Sequence, residues 1–67
     1  MERADRRAVL VAVARLPRRQ REVLALRYYL DLSEQEIAGI LGVARGTVSS
    51  TAARAVSVLV RQFEEER

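Results

Sequence analysis

The chain has 67 residues, a formal net charge of +3, and neither cysteine nor histidine. This length allows one small domain, which buries only about 60% of its unfolded surface, so we expect modest stability. Without cysteine there are no disulfides or thiolate metal sites, and the lack of histidine leaves little for a metal or catalytic site. We therefore expect no cofactor, no small-molecule substrate and no enzymatic activity.

The charge is distributed unevenly along the chain. Residues 1–27 carry a net charge of +5, residues 28–44 carry −3 and residues 45–67 carry +1. A basic N-terminal segment next to an acidic middle segment is consistent with a protein that binds phosphate on one side only. Charge differences of this size also occur on ordinary solvent-exposed surfaces. No apolar run approaches the length of a membrane span and the charged N-terminus does not resemble a signal peptide, so we expect a cytoplasmic protein without membrane contact.

Helical periodicity predicts two helices in the first half of the chain, from Arg3 to Arg15 and from Arg18 to Tyr29 or Leu30. Pro17 separates them, because the residue before a proline is disfavoured in the helical conformation. The apolar stripe of the first helix consists of Val9, Ala12, Val13 and Leu16. The stripe of the second helix consists of Val23, Leu26 and Leu30, widened by Leu24 and Tyr28.

A short helix with clear end signals is predicted from Ser33 to Leu41. Ser33 and Glu36 have the spacing of a capping box, in which each side chain accepts a hydrogen bond from the backbone N–H of the other residue. Gly42 follows at the position where a left-handed residue ends a helix at least cost. The apolar positions of this helix are Ile37, Ala38, Ile40 and Leu41. Val43, which is apolar within the turn, is expected to anchor the turn in the core.

A longer helix is predicted to start at Val48, after residues 44–47, with an apolar stripe over roughly residues 46–63. The stripe consists of Val48, Ala52, Ala55, Val56, Leu59 and Phe63. Two helices joined by a three- or four-residue turn that contains glycine form a helix-turn-helix, in which Val48 and Ala52 would face Ile37 and Leu41. The predicted fold is therefore all-α: a four-helix domain over residues 1–67 with a C-terminal helix-turn-helix and no wing. The alternative is a plain αα-hairpin that touches no DNA.

The face of the last helix opposite its core stripe is polar. Recognition helices read base edges from their N-terminal turns, where free N–H groups can also hold a phosphate. The candidate nucleic-acid-binding residues on this face are Arg45, Thr47, Ser49, Ser50, Ala53 and Arg54. Thr47 is expected to cap the helix, and Arg54 to span two acceptors of a guanine or to clamp a phosphate. The serine hydroxyls are short enough to meet either partner.

Several motifs resemble region four of bacterial RNA polymerase sigma factors. Residues 16–29 (LPRRQREVLALRYY) are similar to the opening of that region, and Glu36-Ile37-Ala38, Leu41-Gly42-Val43 and Gly46-Thr47-Val48 continue the resemblance. The chain is most similar to the extracytoplasmic-function group, over about residues 10–60. The resemblance implies that the domain binds the minus-thirty-five promoter element through the second helix of the motif and grips the flap tip of the polymerase β subunit with its first helices. It also implies binding by anti-sigma factors or activators, and a polymerase-binding domain earlier in the full protein.

The resemblance carries over to individual residues, with departures. Ser49, Ser50, Ala53 and Arg54 match positions that contact bases or backbone in the family, and Thr47 matches a backbone-contacting position. Family members usually carry a basic residue at position 49, an arginine at 51 and frequently an arginine at 56, where this chain has Ser49, Thr51 and Val56. Each missing phosphate contact lowers the affinity and flattens the salt dependence by roughly one unit. We therefore expect weak, salt-sensitive binding by the isolated domain, with specificity supplied when polymerase holds it near the promoter.

The start of the second helix offers further candidates for phosphate contacts. These are Arg18, Arg19 and Arg21, which would supply the charge that the recognition helix lacks. The alternative is a solvated basic turn.

The sequence gives fewer indications of a protein-binding surface than of a DNA-binding one. Tyr28 and Tyr29 are adjacent, so one of them is expected at the mouth of a groove between helices one to three, where an apolar partner helix could lie. Val11, Val58 and Val60 form either a patch for an anti-sigma factor or activator, or scattered surface residues.

Two other functions are compatible with the sequence. The chain could be a protein-interaction module, bound by an anti-sigma factor or activator, with weak DNA contact of its own. It could also be the output domain of a two-component response regulator, which shares Glu36-Ile37-Ala38 and Gly46-Thr47-Val48. That class usually has a different opening helix and a basic residue after the valine, so residues 16–29 argue against it.

Overall fold

The computed structural model describes residues 6–65, and every regular element in that range is helical. The elements are α1 (Arg6–Ala14), α2 (Arg18–Leu24), a π-helical turn that continues α2 (Ala25–Tyr29, called the π turn below), α3 (Glu34–Leu41) and α4 (Arg45–Glu65). No helix in this range has the length and hydropathy needed to cross a membrane. The predicted all-α fold with a C-terminal helix-turn-helix is confirmed. Positions 3–5, where the first helix was predicted to begin, lie outside the described residues.

Two clusters of buried side chains hold the helices together. The first, called the helix-turn-helix core, consists of Val23, Ile37, Val48 and Ala52 from α2, α3 and α4. The second, called the N-terminal core, consists of Leu16, Leu24 and Ala55. Burial of an aliphatic side chain of this size contributes roughly 1.5–3 kcal/mol, so the fully buried Ile37 and Val48 are main contributors to stability. Since α2 and α4 contribute to both clusters, these helices connect the two halves of the molecule.

The end signals of α3 act as predicted. The Ser33 side chain accepts a hydrogen bond from the Glu36 backbone N–H at 3.0 Å, and the Glu36 carboxylate accepts one from the Ser33 N–H at 2.8 Å. Gly42 is left-handed, with φ 70° and ψ 35°. The N–H groups of Gly42 and Val43 both donate to the Ala38 carbonyl, and Val43 packs against the helix-turn-helix core. The turn is therefore fixed at both ends.

The π turn explains why two residues of the predicted α2 stripe are exposed. The Leu30 N–H donates to the Ala25 carbonyl, five residues back, so this turn holds one residue more than an α-helical turn. The extra residue rotates the residues that follow it away from the faces they would occupy in a regular α-helix. Leu26 stays partly buried in line with Val23, but Leu30 is 60% exposed. Tyr28, within the turn, is 66% exposed. The prediction that Leu30 and Tyr28 extend the buried stripe is wrong for this reason.

Two further apolar positions were predicted wrongly. Ile40 is 60% exposed, because α4 packs on the flank of α3 that carries Ala38 and Leu41 and leaves the opposite flank open. Val56 is 43% exposed, because it lies at the edge of the α4 stripe where no helix covers it.

The helix α4 begins three residues earlier than predicted. The Ala44 carbonyl accepts the N–H groups of Thr47 and Val48 at 3.0 and 3.2 Å, so the helix starts at Arg45. The connecting turn is therefore residues 42–44, and the exposed start of α4 includes Arg45 and Gly46.

Candidate nucleic-acid interface

The helix α4 has one buried face, as predicted. Val48, Ala52 and Ala55 are buried against α2 and α3 or the N-terminal core. Thr51 is also buried, with 9% exposure, which the sequence analysis missed. Because residue 51 lies on the buried side, the lack of an arginine there removes no charge from the exposed face.

All residues predicted for the opposite face of α4 are exposed. They are Arg45, Thr47, Ser49, Ser50, Ala53 and Arg54. Within residues 6–65, neither Arg45 nor Arg54 forms an ion pair, so both guanidinium groups are available to an external anion. This surface has the polarity expected of a groove-facing helix, but the candidate residues supply only two positive charges.

Thr47 does not cap the helix, contrary to expectation. It is the third residue of α4, and its N–H already donates to the Ala44 carbonyl. The residue before the helix is Ala44, whose side chain has no acceptor, so no side chain at the cap position satisfies the first N–H groups of α4. Those groups suit an external acceptor such as a phosphate oxygen.

The hydroxyl hydrogens of both serines on this face are engaged within the protein. Ser49 Oγ donates to Glu34 Oε1 at 2.6 Å, which links α4 to the start of α3. Ser50 Oγ donates to the Thr47 carbonyl of its own helix at 3.2 Å. In the free protein both serine hydroxyls therefore already donate to an acceptor within the protein.

Glu34 connects the π turn to α4, through Arg27 on one side and Ser49 on the other, which the sequence did not indicate. Its second carboxylate oxygen lies 3.1 Å from Arg27 Nη1, and the Arg27 guanidinium lies 5.6 Å from the centre of the Tyr28 ring. The Glu34 and Arg27 side chains are 24% and 36% exposed, so solvent screens this pair less than a fully exposed one. No motif could have found the Arg27–Glu34–Ser49 network, because its members are seven and fifteen residues apart and meet only in the folded chain.

The basic residues at the start of α2 have partners in the free protein. Arg18 Nε lies 3.0 Å from Glu22 Oε2, and Arg19 Nη1 lies 3.4 Å from Glu22 Oε1. Arg21 donates to the Ala14 carbonyl at the end of α1, at 3.3 Å. Exposed ion pairs of this kind contribute about 0–1 kcal/mol, so a phosphate can replace the carboxylate at little cost.

The start of α2 lies beside the middle of α4. Gln20, between Arg19 and Arg21 in the chain, lines a cleft together with Arg54 and Arg61. Arg18 and Arg19 line a different cleft with Ile40 and Leu41 of α3, and Arg21 bonds the end of α1, so it is Gln20 that lies next to the exposed face of α4.

An apolar groove of about 480 Å³ lies on another side of the molecule. It runs between α1, the π turn and α4, and not among the first three helices as predicted. Its lining consists of Val9, Leu10, Val13, Leu24, Ala25, Tyr28, Tyr29, Val56 and Leu59. Both tyrosines line it, with 66% and 83% exposure, so the prediction that only one would do so is wrong.

The three valines considered as a second patch do not lie together. Val58 packs against the N-terminal core, and Val11 lines a different cleft with Arg7 and Phe63. Val60 is half exposed. They are scattered surface or core-edge residues, which was the other reading of the sequence.

Comparison with known proteins identifies the relatives of this chain. The family model described as "Sigma-70, region 4" matches residues 6–59. The RNA polymerase sigma-E factor of Streptomyces antibioticus is 38% identical over 63 residues, which is 94% of this chain and 35% of the relative. The sigma-E factor of Streptomyces avermitilis is 36% identical over 63 residues, with the same coverage, and that of Streptomyces coelicolor is 38% identical over 58 residues, 87% of this chain and 33% of the relative. The chain thus spans about a third of the length of the curated relatives it matches.

Proposed function

Because the chain belongs to the sigma-70 region 4 family, we propose that it recognises the minus-thirty-five promoter element through α4 and directs bacterial RNA polymerase to that promoter. In this proposal residues 1–67 form one DNA-binding domain, which acts in the cytoplasm without catalytic activity. The main supporting observation is the exposed polar face of α4, which lies on the side of the helix opposite its buried apolar stripe. An α-helix of this kind fits the major groove of DNA.

Arg45 and Arg54, which form no ion pair within residues 6–65, are placed to reach both sides of a groove. Arg45 and Arg54 are nine residues apart, which is two and a half helical turns, so they project from opposite sides of α4. Their separation along the axis is about 14 Å, and a major groove about 12 Å wide admits the helix between its two phosphate strands. Arg45 therefore suits a phosphate on one side, and Arg54 suits a phosphate on the other or a guanine edge between them.

Further phosphate contacts come from the first turn of α4 and the start of α2. The first backbone N–H groups of α4 lack a side-chain cap and face an approaching anion. Arg18, Arg19 and Arg21 belong to the helix whose Gln20 lines a cleft with Arg54, and they exchange their exposed partners for phosphate. The isolated domain still presents few charges, so its binding is weak and salt-sensitive, and polymerase supplies affinity by holding the domain near the promoter.

A footprint of the complete polymerase complex tests the promoter assignment. Core polymerase with the wild-type protein is expected to protect the upstream promoter element from cleavage, and Arg54→Ala to lose that protection. Arg61→Ala is the matched control, because it removes the same charge from the same helix two turns further on. Equal footprints for wild type and Arg54→Ala would refute the assignment of this face.

The basic residues of α2 are tested separately. Reversing the charge at Arg18, Arg19 and Arg21 is expected to weaken promoter binding and to reduce its salt dependence. Unchanged promoter binding by this triple variant would show that these residues form only a solvated turn.

The apolar groove supports docking on the flap of the polymerase β subunit. Its exposed lining of aliphatic and tyrosine side chains suits an amphipathic helix laid along it. An anti-sigma factor or an activator could compete for the same surface. A titration of the β flap alone, followed by competition with a regulator, distinguishes these partners.

A second candidate function is a protein-interaction module whose DNA contact is weak. The internally bonded serines and the few charges on α4 favour it, together with the exposed groove. Binding to the β flap or a regulator without any promoter footprint would identify this function. The response-regulator alternative has no support, since the family match is to sigma factors.

A further inference from the structure

We propose that Ser49 reads an exocyclic amino group of a base, adenine N6 or cytosine N4, and that Glu34 is the positioning residue that sets this preference. The inference rests on the proposed function, since it requires α4 to lie in the major groove. It assigns a specificity-determining role to a carboxylate on α3, outside the recognition helix.

The Ser49 hydroxyl has a single hydrogen to donate. An ionised carboxylate can only accept hydrogen bonds, so Ser49 must be the donor in its 2.6 Å contact with Glu34 Oε1. Such short hydrogen bonds to a charged acceptor are about twice as strong as neutral ones. With its hydrogen committed, the hydroxyl offers only its lone pairs to any further partner.

This restriction selects among the groups that DNA presents. Phosphate oxygens, guanine O6 and N7, and thymine O4 are all acceptors, and two acceptors cannot form a hydrogen bond. The donors on the major-groove edge are the amino groups of adenine and cytosine. The Glu34 carboxylate also repels phosphate, so it favours the same amino groups.

The contact depends on a carboxylate that is itself held in place. Glu34 Oε2 lies 3.1 Å from Arg27 Nη1, and Glu34 is the first residue of α3, where the helix dipole favours a negative charge. Beneath the contact, Ile37 and Val48 are fully buried and fix the separation of α3 and α4. The geometry of the pair is therefore set by the fold.

The neighbouring Ser50 hydroxyl has a weaker acceptor than that of Ser49. It donates at 3.2 Å to an uncharged carbonyl of its own helix, an ordinary bond that a phosphate acceptor can displace. The two adjacent serines thus have different roles, and only Ser49 is restricted to an amino group.

A selection experiment tests this assignment. The chain and its variants are each used to enrich duplexes from a random library at low salt, and the enriched sequences are compared. The wild type is expected to enrich adenine or cytosine at one position, and Ser49→Ala and Glu34→Ala to lose that preference. Asp31→Asn is the matched control, because it removes one negative charge from the same cleft without touching Ser49, and it is expected to keep the preference. Asparagine also tolerates the left-handed backbone of residue 31, whose φ is 59°.

An amino-group deletion in the DNA sharpens the test. Replacing the selected base by an analogue without its amino group is expected to lower wild-type affinity about five-fold, the effect of one ordinary hydrogen bond. The same replacement is expected to leave the affinity of Ser49→Ala unchanged. Ser49→Thr keeps the hydroxyl and is expected to keep the preference, which separates loss of contact from loss of folding.

Three outcomes would overturn the inference. An unchanged motif in Ser49→Ala, or an equal loss of affinity by that variant for all duplexes, would leave the proposed function intact and remove the role of Ser49. An unchanged motif in Glu34→Ala, with affinity raised for every duplex as in Asp31→Asn, would show that the carboxylate acts only as a charge. A wild-type chain that enriches no motif would contradict the inference, whereas the proposed function, in which polymerase holds the domain at the promoter, is decided by the footprint of the complete complex.

Discussion

The helix-turn-helix half of the molecule and the half around the apolar groove bury their apolar side chains to different extents. In the first half, Ile37 and Val48 are fully buried, and a capping box and a left-handed glycine fix the ends of α3. In the second half, Leu10, Tyr28 and Tyr29 stay more than half exposed beside the π turn. The half proposed to read DNA is thus closely packed, whereas the half proposed to dock on protein leaves apolar side chains exposed.

This difference follows from what each surface must do. A recognition helix has to hold its side chains in register with bases, so the helix that braces it must not shift. A docking groove gains its binding energy from apolar surface that stays uncovered until the partner arrives. The comparison predicts large effects of substitutions on folding in the first half and effects on binding alone in the second.

The largest expected effect is at Ile37. Ile37→Ala removes a fully buried side chain between Val23 and Val48 and is expected to lower the free energy of unfolding by roughly 2–5 kcal/mol. Ile40→Ala on the same helix is the control and is expected to change it by no more than about 0.5 kcal/mol, because Ile40 is 60% exposed. Urea unfolding followed by circular dichroism measures both, and equal losses would show that the first half is not the better packed one.

Two glycines of the α3 region are expected to respond with opposite signs. A side chain at either position meets no atom within 4 Å, so backbone conformation decides the outcome. Gly42→Ala places an L-residue at φ 70° and is expected to cost about 1 kcal/mol. Gly39→Ala lies within α3 and is expected to add about 0.5–1 kcal/mol of stability. Thermal unfolding of both variants checks the sign, and a stabilised Gly42→Ala would contradict the role of the turn.

The capping box is expected to give a smaller, pH-dependent effect. Ser33→Ala removes the side-chain cap and is expected to cost about 1 kcal/mol at neutral pH. The hydrogen bond from the Ser33 backbone, followed by that with its side chain, lowers the pKa of Glu36 below its ordinary value.

The sign of the pH effect follows from this lowered pKa. Since the folded pKa lies below the unfolded one, the stabilisation is present at neutral pH and is lost as the pH falls through the folded value. Glu36→Gln is therefore expected to flatten the dependence of unfolding free energy on pH in the acidic range, and Glu64→Gln is the control. Parallel pH curves for wild type and Glu36→Gln would rule out the carboxylate as part of the cap.

The smallest effect on stability is expected in the groove half. Tyr29→Ser should change the free energy of unfolding by less than about 0.5 kcal/mol, because the side chain is 83% exposed. The same variant is expected to weaken binding to the polymerase β flap. Leu30→Ser is the matched control, since Leu30 is adjacent and exposed but does not line the groove. Equal flap binding by both variants and wild type would place the docking surface elsewhere.

Sequence reasoning succeeded where the signal is local. The capping box at Ser33 and Glu36, the left-handed Gly42 and the buried Val48 and Ala52 all depend on residues within a few positions of one another. Each of these patterns has one physical solution, so the helix-turn-helix could be predicted with few alternatives.

Sequence reasoning failed where the outcome depends on packing between helices. The extra residue of the π turn moves Leu30 away from the buried stripe, and no residue type within Ala25–Tyr29 predicts such a turn. Ile40 is exposed because of the side on which α4 packs. Glu34 meets Ser49 only when α3 and α4 cross, so the pattern of the candidate site could show which residues are exposed but not which of their hydrogens are engaged.

The shortness of α1 has a consequence for the order in which the molecule opens. Within its nine residues only Ala12 is buried, and helices of this length are marginal in water without tertiary support. Its amide hydrogens are therefore expected to exchange with solvent at a lower free energy than those of α4, as a separate opening unit. A ligand seated along Val9 and Val13 would slow that exchange, so deuterium uptake by α1 reports occupancy of the neighbouring surface without any label on the partner.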